Sequence, residues 1–266
     1  MTVSKNILQQ KKLKILLVGD SCIDEYVYGD CDRLNPEAPV PILQISNIVT
    51  NLGMAANVKN LLTAFDADVN FYTGNEISVK RRFIDNRSKQ HIVRVDDDKI
   101  NKPIDIDKLQ GHSADAVVIS DYCKGLLDYY NMQYICQTYK DIPIFIDTKK
   151  TDLAKFSHAN VYVKINEPEY LRAKTLPKNL IVTLGKKGAM FVREQQESYF
   201  AADSNVDVVD VCGAGDTFLS ALTIRYLQTM DIGRAINYAN RAAAINVTHR
   251  GAYCLTKEDI TGIEYA

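Results

Sequence analysis

The sequence predicts a doubly wound α/β fold, a mostly parallel sheet with helices on both faces. Three observations point there. Apolar runs of strand length recur along the chain, helix-like segments separate several of them, and most runs are apolar on both faces, as buried parallel strands are. In chain order, KILLVGD (14–20) is the first such run, and MAANVKNLLTAF (54–65) is the first helix, leading into VNFYTG (69–74). AVVISD (116–121) and the helical LLDYYNMQYICQTYK (126–140) repeat the unit, followed by IPIFID (142–147), VYVKIN (161–166) and LIVTLG (180–185). VPILQIS (40–46) and HIVRVDD (91–97) alternate more strictly, which suits a small half-exposed sheet acting as a lid. The chain then turns helical, with FLSALTIRYLQTM (218–230) and GRAINYANRAAAINVTHR (233–250) as its last two long helices. No internal repeat or low-complexity tract interrupts the pattern.

Composition narrows what this fold can serve. With 266 residues, 46% of them hydrophobic, the chain has the material for one principal core, so residues 1–266 are expected to form a single domain. Its lid strands are expected at about 25–47 and 80–97. The formal net charge is −1, so no whole-molecule field draws it to nucleic acid or to an anionic membrane. The first residues, MTVSKNILQQKK, lack the apolar centre of a leader, and no run approaches the roughly 18 apolar residues of a membrane span, so a cytoplasmic protein is expected. Six cysteines (Cys22, Cys31, Cys123, Cys136, Cys212, Cys254) form no CxxC pair and read as free thiols.

Chemistry concentrates in VCGAGDTF, Val211 to Phe218. Where a helix begins near Ala214, its first amides have no intrahelical partners and the helix dipole adds positive charge, so the turn can bind an anion. Glycines 213 and 215 remove side-chain bulk, and Asp216 is placed to take a proton from a hydroxyl beside that anion. The same residues also suit an ordinary helix start, where an acidic side chain complements the dipole. There is no GxxxxGK[ST] loop, and Phe218 stands where a dinucleotide GxGxxG pattern needs its last glycine.

DVCGAGD (210–216) resembles the signature of the ribokinase/PfkB carbohydrate kinases, and GDSCIDEYVYGDCDRLNPEAPVPIL (19–43) resembles the heptose-7-phosphate kinase domain of bifunctional ADP-heptose synthesis enzymes. GMAAN (53–57), SDYCKG (120–125), IDTKK (146–150), NEPE (166–169), TLGKKG (183–188) and ANRAAA (239–244) follow in family order. The resemblance implies a ribokinase-like fold and phosphoryl transfer from ATP with Mg²⁺ to a sugar phosphate, here a heptose 7-phosphate at its anomeric hydroxyl. It makes Asp216 the base and Gly213, Ala214 and Gly215 the anion hole. Asp24, Gly53 and Asn57 would contact the acceptor, with Asp121, Lys124, Arg82 and Lys149 also on the acceptor side and Lys124 as the clamp for its existing phosphate. Asn166 and Glu169 would position hydrated Mg²⁺, Glu169 through water, and Thr183, Gly185, Gly188, Asn240 and Gly251 would line the nucleotide site. Each residue also has a plain reading, such as a solvated lysine, a helix cap or a surface turn.

Two departures stand out. The family's second glycine after Gly53 is Met54, whose side chain would narrow the acceptor pocket. Only Asn75 to Val79 separate Gly74 from Lys80, where relatives carry a further helix, strand and helix, so one edge unit of the sheet is expected to be missing, exposing apolar surface near Phe71 and Tyr72. The resemblance admits a homodimer, and without an HxGH motif any nucleotidyl transfer falls to a separate nucleotidyltransferase. A kinase for another sugar, or a non-catalytic nucleotide- or sugar-binding relative, remains the alternative at this point.

Overall fold

The computed structural model describes residues 12–203 and 206–265; residues 1–11, read above as lacking a leader's apolar centre, lie outside them. The chain runs β1 (Lys14–Gly19), β2 (Ser21–Leu34), β3 (Pro41–Met54), α1 (Ala55–Ala64), β4 (Asp68–Tyr72), β5 (Ser78–Asp85), β6 (His91–Asp97) and β7 (Ala116–Asp121). It continues with α2 (Tyr129–Thr138), β8 (Ile144–Thr148), β9 (Val161–Asn166), α3 (Glu167–Tyr170), β10 (Asn179–Thr183), β11 (Ala189–Arg193), β12 (Gln196–Phe200), α4 (Ala214–Thr229), α5 (Ile232–Asn246) and α6 (Lys257–Tyr265).

Among the described residues, eight strands form the main sheet in the order β12-β11-β10-β9-β8-β7-β1-β4. The six from β4 to β10 are parallel, and β11 and β12 close one edge antiparallel. This is a doubly wound, mostly parallel α/β architecture. The apolar runs are apolar on both faces because alternate residues serve two cores. In β1, Ile15 and Leu17 pack with Leu61 of α1, Leu219 of α4 and Ile236 of α5, while Leu16 and Val18 pack with Met132 and Ile135 of α2. Helix starts are marked by side-chain caps where the sequence offers them: Asp128 accepts from the Asn131 amide, and Asp231 from the Arg234 amide.

The second sheet, β3-β2-β5-β6, pairs β2 with β3 antiparallel and β2 with β5 parallel. Its strands run longer than the segments expected at 25–47 and 80–97. Local alternation underestimates them because β2 and β3 support each other through a long ladder that tolerates polar residues and two bulges. Met54 ends β3 and caps α1 at φ 57° and ψ −135°, a backbone state suited to glycine, and its side chain is buried. A residue held there costs about 1–3 kcal/mol of local strain.

β4 forms an edge of the main sheet, and a short link leads from it to β5. The expected exposed apolar surface is not beneath it. Phe71 packs against the α1/α4 core with Lys59 over its ring, and the Tyr72 hydroxyl pairs with His112 at 2.8 Å. Exposed apolar side chains sit instead on the second sheet, at Ile45, Ile48, Val93 and Val95.

Candidate active site

Open parallel sheets bind ligands outside the carboxyl ends of their strands, where strand order reverses. Here the reversal lies between β1 and β7. Asp20, just past β1, accepts from the amides of Tyr122 and Lys124, just past β7, at 2.9 and 3.0 Å. That carboxylate fixes the 122–124 loop and so places the Tyr122 ring.

Tyr122 reaches Asp216. Its hydroxyl donates to Asp216 Oδ1 at 3.1 Å, and Asn57 Nδ2 donates to Oδ2 at 2.9 Å. Three segments, the start of α1, the loop after β7 and the first turn of α4, thus converge on one buried carboxylate. Burial pushes its pKa up to about 6; the Asn57 bond opposes this, Asp147 adds to it, and Lys164 and Tyr122 pull it back. Burial and the neighbouring Asp216 charge hold the Tyr122 hydroxyl well above its ordinary range, so it remains a donor.

The turn before Asp216 is built for an open helix end. Gly213 is the α4 N-cap at φ 76°, left-handed, with no side chain over the first amides. Asp210 secures the turn by accepting from the amides of Cys212 and Gly251, both at 2.9 Å. Gly213, Gly215 and Asp216 line a cavity of about 500 Å³ with Tyr122, Asp147, Lys149, Lys164 and Asn166. An apolar cavity of about 380 Å³ adjoins it, sharing Thr183, Gly185 and Gly215 and adding Gly188, Phe218, Asn240 and Val247. The pair suits a molecule with a polyanionic end at the helix start and a flat apolar end beyond. A larger cavity of about 1020 Å³, lined mainly by α4, α5 and α6, includes neither Asp216 nor the 213–215 turn.

On the other side of Asp216, Asp24 of β2 is paired with Arg82 of β5, Nη1 to Oδ1 at 2.5 Å, both buried. A side chain on Gly53 would collide with the Asp24 carboxylate, which explains the bare position. Arg82 also donates to Cys212 Sγ at 3.6 Å, so the second sheet touches the 210–216 turn directly.

Several expected placements change. Asp121 was expected to face the acceptor, but its carboxylate is buried and bonded to Thr148 Oγ1, the Cys123 amide and Lys150 Nζ, which makes it a structural anchor. Lys124 Nζ pairs with Asp98 at 2.6 Å, and Lys124 lines neither cavity, so a phosphate there would have to displace Asp98. Lys149 lies on the expected donor side, paired with Glu169 and 5.0 Å from the Tyr122 ring centre. Lys80 sits 5.6 Å from the same ring. Asn166 and Glu169 form a capping box at α3: Asn166 Oδ1 accepts from the Glu169 amide, and Glu169 Oε2 from the Asn166 amide. Lys149 Nζ bonds Oε1, so each Glu169 oxygen carries one hydrogen bond and keeps a second lone pair with which a water could be held. A side chain on Gly251 would press on the Tyr26 hydroxyl, and Gly251 does not line the apolar cavity where it was expected. Asn240 lines that cavity, its amide donating to the carbonyl of Phe200 at 3.0 Å.

Sequence reading missed Asp20, Tyr122, Asp147 and Lys164. A signal existed for the last two, each a charge near the end of a strand otherwise apolar on both faces, IFIDT and VYVKIN.

Comparison with known proteins places this geometry. The bifunctional protein HldE of Helicobacter pylori strain J99 is 31% identical over an alignment 306 positions long, covering 93% of this chain and 65% of that protein. HldE of Campylobacter curvus is 32% identical, covering 91% of this chain and 63% of its own. The chain therefore spans just under two thirds of the length of these relatives. Among solved structures, ribokinase from Thermotoga maritima superposes with TM-score 0.72 at 19% identity, covering 96% of this chain and all of that one. Arabidopsis thaliana ribokinase complexed with ribose and ATP gives 0.71 at 15% identity, covering 95% and 98%. The family pattern described as pfkB family carbohydrate kinase matches residues 113–258, a span that includes Tyr122, Lys164 and the whole 210–216 turn, and the chain belongs to this family as a sugar kinase.

Proposed function

We propose that the chain transfers the γ-phosphoryl group of ATP to the anomeric hydroxyl of D-glycero-D-manno-heptose 7-phosphate, giving the 1,7-bisphosphate. One observation carries the phosphoryl-transfer reading: a buried carboxylate, Asp216, held by Asn57 and Tyr122 in the first turn of a helix whose amides open onto a polar cavity. The choice of heptose rests on the Arg33-to-Pro41 stretch and the similarity to the two HldE proteins. That stretch forms the exposed tip of the β2–β3 hairpin, away from the cavity lining.

In this reading the 213–215 turn, where the Ala214 amide donates to the Val211 carbonyl at 3.3 Å and Gly213 and Gly215 line the cavity, holds the transferring group while Asp216 accepts the hydroxyl proton. Asn57 and Tyr122 keep the carboxylate oriented, and the apolar cavity at Phe218, Asn240 and Val247 takes the adenine. Asp24 and Arg82 face the sugar from the second sheet, which serves as the lid. Among the described residues no three His, Cys, Asp or Glu side chains converge on a point that would hold a cation. Mg²⁺ is expected to arrive on the ATP phosphates, as a hard cation that keeps several of its waters does.

The acceptor assignment is tested by following ADP release over free and phosphorylated sugars. Heptose 7-phosphate should be preferred over free heptose by a lower KM and a higher kcat/KM. Equal turnover of a fructose or ribose phosphate would remove the heptose assignment and leave the kinase.

The raised pKa of Asp216 sets a pH dependence. A base must be ionised, so activity should rise through about pH 6 and fall about tenfold per pH unit below it. Asn57→Ala removes the bond that favours the ionised form, so this acid limb should move to higher pH. A pH–rate profile of parent and variant reads both, and a limb unmoved by the substitution would separate the profile from Asp216.

A further inference from the structure

Asp147 of β8 and Lys164 of β9 stand directly opposite each other in the parallel ladder. Lys164 Nζ donates to Asp147 Oδ2 at 2.7 Å, and both side chains are 5% exposed. Buried ion pairs recover little net stability over apolar packing, so a pair kept where strands are otherwise apolar invites a functional explanation. Its position supplies one. Both residues line the 500 Å³ cavity with Asp216, and Lys164 Nζ lies 2.9 Å from where a side chain on Gly215 would begin. The ammonium is therefore pressed against the backbone of the turn whose amides open onto the anion.

We propose that Lys164 is a catalytic residue of this kinase, a fixed cation that Asp147 holds beside the 213–215 turn and that binds the transferring phosphate. The inference rests on the phosphoryl-transfer reading above and adds a role for a residue outside the family signature quoted earlier. Asp147 takes one of the three N–H donors of the ammonium, and the cavity is the direction in which a polyanion would meet the others. In the reaction the sugar hydroxyl oxygen bonds to the γ-phosphorus as its proton passes to Asp216. The bond from that phosphorus to the β,γ-bridging oxygen breaks with its electron pair leaving on ADP. Lys164 takes no part in the proton transfer and offsets charge on the equatorial oxygens. Without it, the phosphates would meet the buried carboxylates of Asp147 and Asp216 with no ammonium against the turn.

The pair also tunes the base. Facing Asp216 are Asn57 from α1, Tyr122 after β7, Asp147 from β8, Lys164 from β9, Lys149 after β8 and Cys22 from β2. Of the pair, Asp147 raises the Asp216 pKa and Lys164 lowers it.

The test compares the parent chain with Lys164→Met, Lys164→Arg, Asp147→Asn and the double variant Asp147→Asn/Lys164→Met. Binding of ATP and of adenosine is measured by calorimetry beside the pH–rate profile. Lys164→Met should weaken ATP at least tenfold with adenosine unchanged, lower kcat by about 10²-fold and move the acid limb up. Asp147→Asn should move that limb down, and Lys164→Arg should retain most of the ATP affinity. A pair that only braces the strands would lower the thermal midpoint in both single variants and leave the two limbs in place. If the stranded Asp147 prevents Lys164→Met from folding, the double variant removes both charges together and should show the same selective loss of ATP. ATP affinity within twofold of the parent in a folded variant lacking Lys164, in an active parent, overturns this role alone. A parent that binds no ATP and turns over no sugar phosphate overturns the kinase reading with it.

Discussion

Asp216→Asn should lower turnover by about 10²–10⁴-fold, the usual loss when a positioned general base is deleted. The substitution leaves shape and hydrogen bonding in place: an amide oxygen can still accept from Asn57, and the new N–H can donate to the Tyr122 hydroxyl oxygen. ATP affinity should survive, because it is expected to rest on the 213–215 amides and on the apolar cavity at Phe218 and Asn240. The thermal midpoint should hold or rise, since burial disfavours the charged form that is removed. Steady-state kinetics, calorimetry and thermal melting on the one variant separate the outcomes. A normal rate with a lowered midpoint would make Asp216 a helix-start residue and take the base out of the mechanism.

Lys150→Met should destabilise the fold by about 3–5 kcal/mol while leaving the KM for both substrates within about twofold. Asp121 has no exposed side-chain surface, and Lys150 is its cationic partner at 2.9 Å. Removing the ammonium strands a buried carboxylate that Thr148 and the Cys123 amide cannot neutralise. For a chain of this size the thermal midpoint should fall by roughly 10 °C. This measurement also tests the reassignment of Asp121: a raised sugar KM at unchanged stability would return it to the acceptor site.

Much of the sheet was legible because parallel strands buried on both faces leave a local mark. KILLVG, AVVISD and VYVKIN could be read as strands without knowing their neighbours. Strands of the second sheet were legible only in part. SCIDEYVYGDCDRL carries polar residues that alternation does not explain, and it is a strand because β3 and β5 flank it. The antiparallel β11 and β12 and the short α6 left too weak a local pattern to be found.

The sequence by itself determined the α/β class, the family signature, and the small-residue turn that puts Asp216 in the first turn of α4. Each of these is written in neighbouring residues, through side-chain size, apolar period and the open amides of a helix start. Which charges meet was decided only by tertiary structure. Asn57 reaches Asp216 across 159 positions and Tyr122 across 94, while Asp20 fixes Tyr122 from the far side of the switch point. Asp147 meets Lys164 because β8 and β9 are adjacent and in register, and Lys124 turns to Asp98 rather than to the cavity. Ion pairs of this kind depend on strand order and register, and neither is encoded in the local period of the residues that form them.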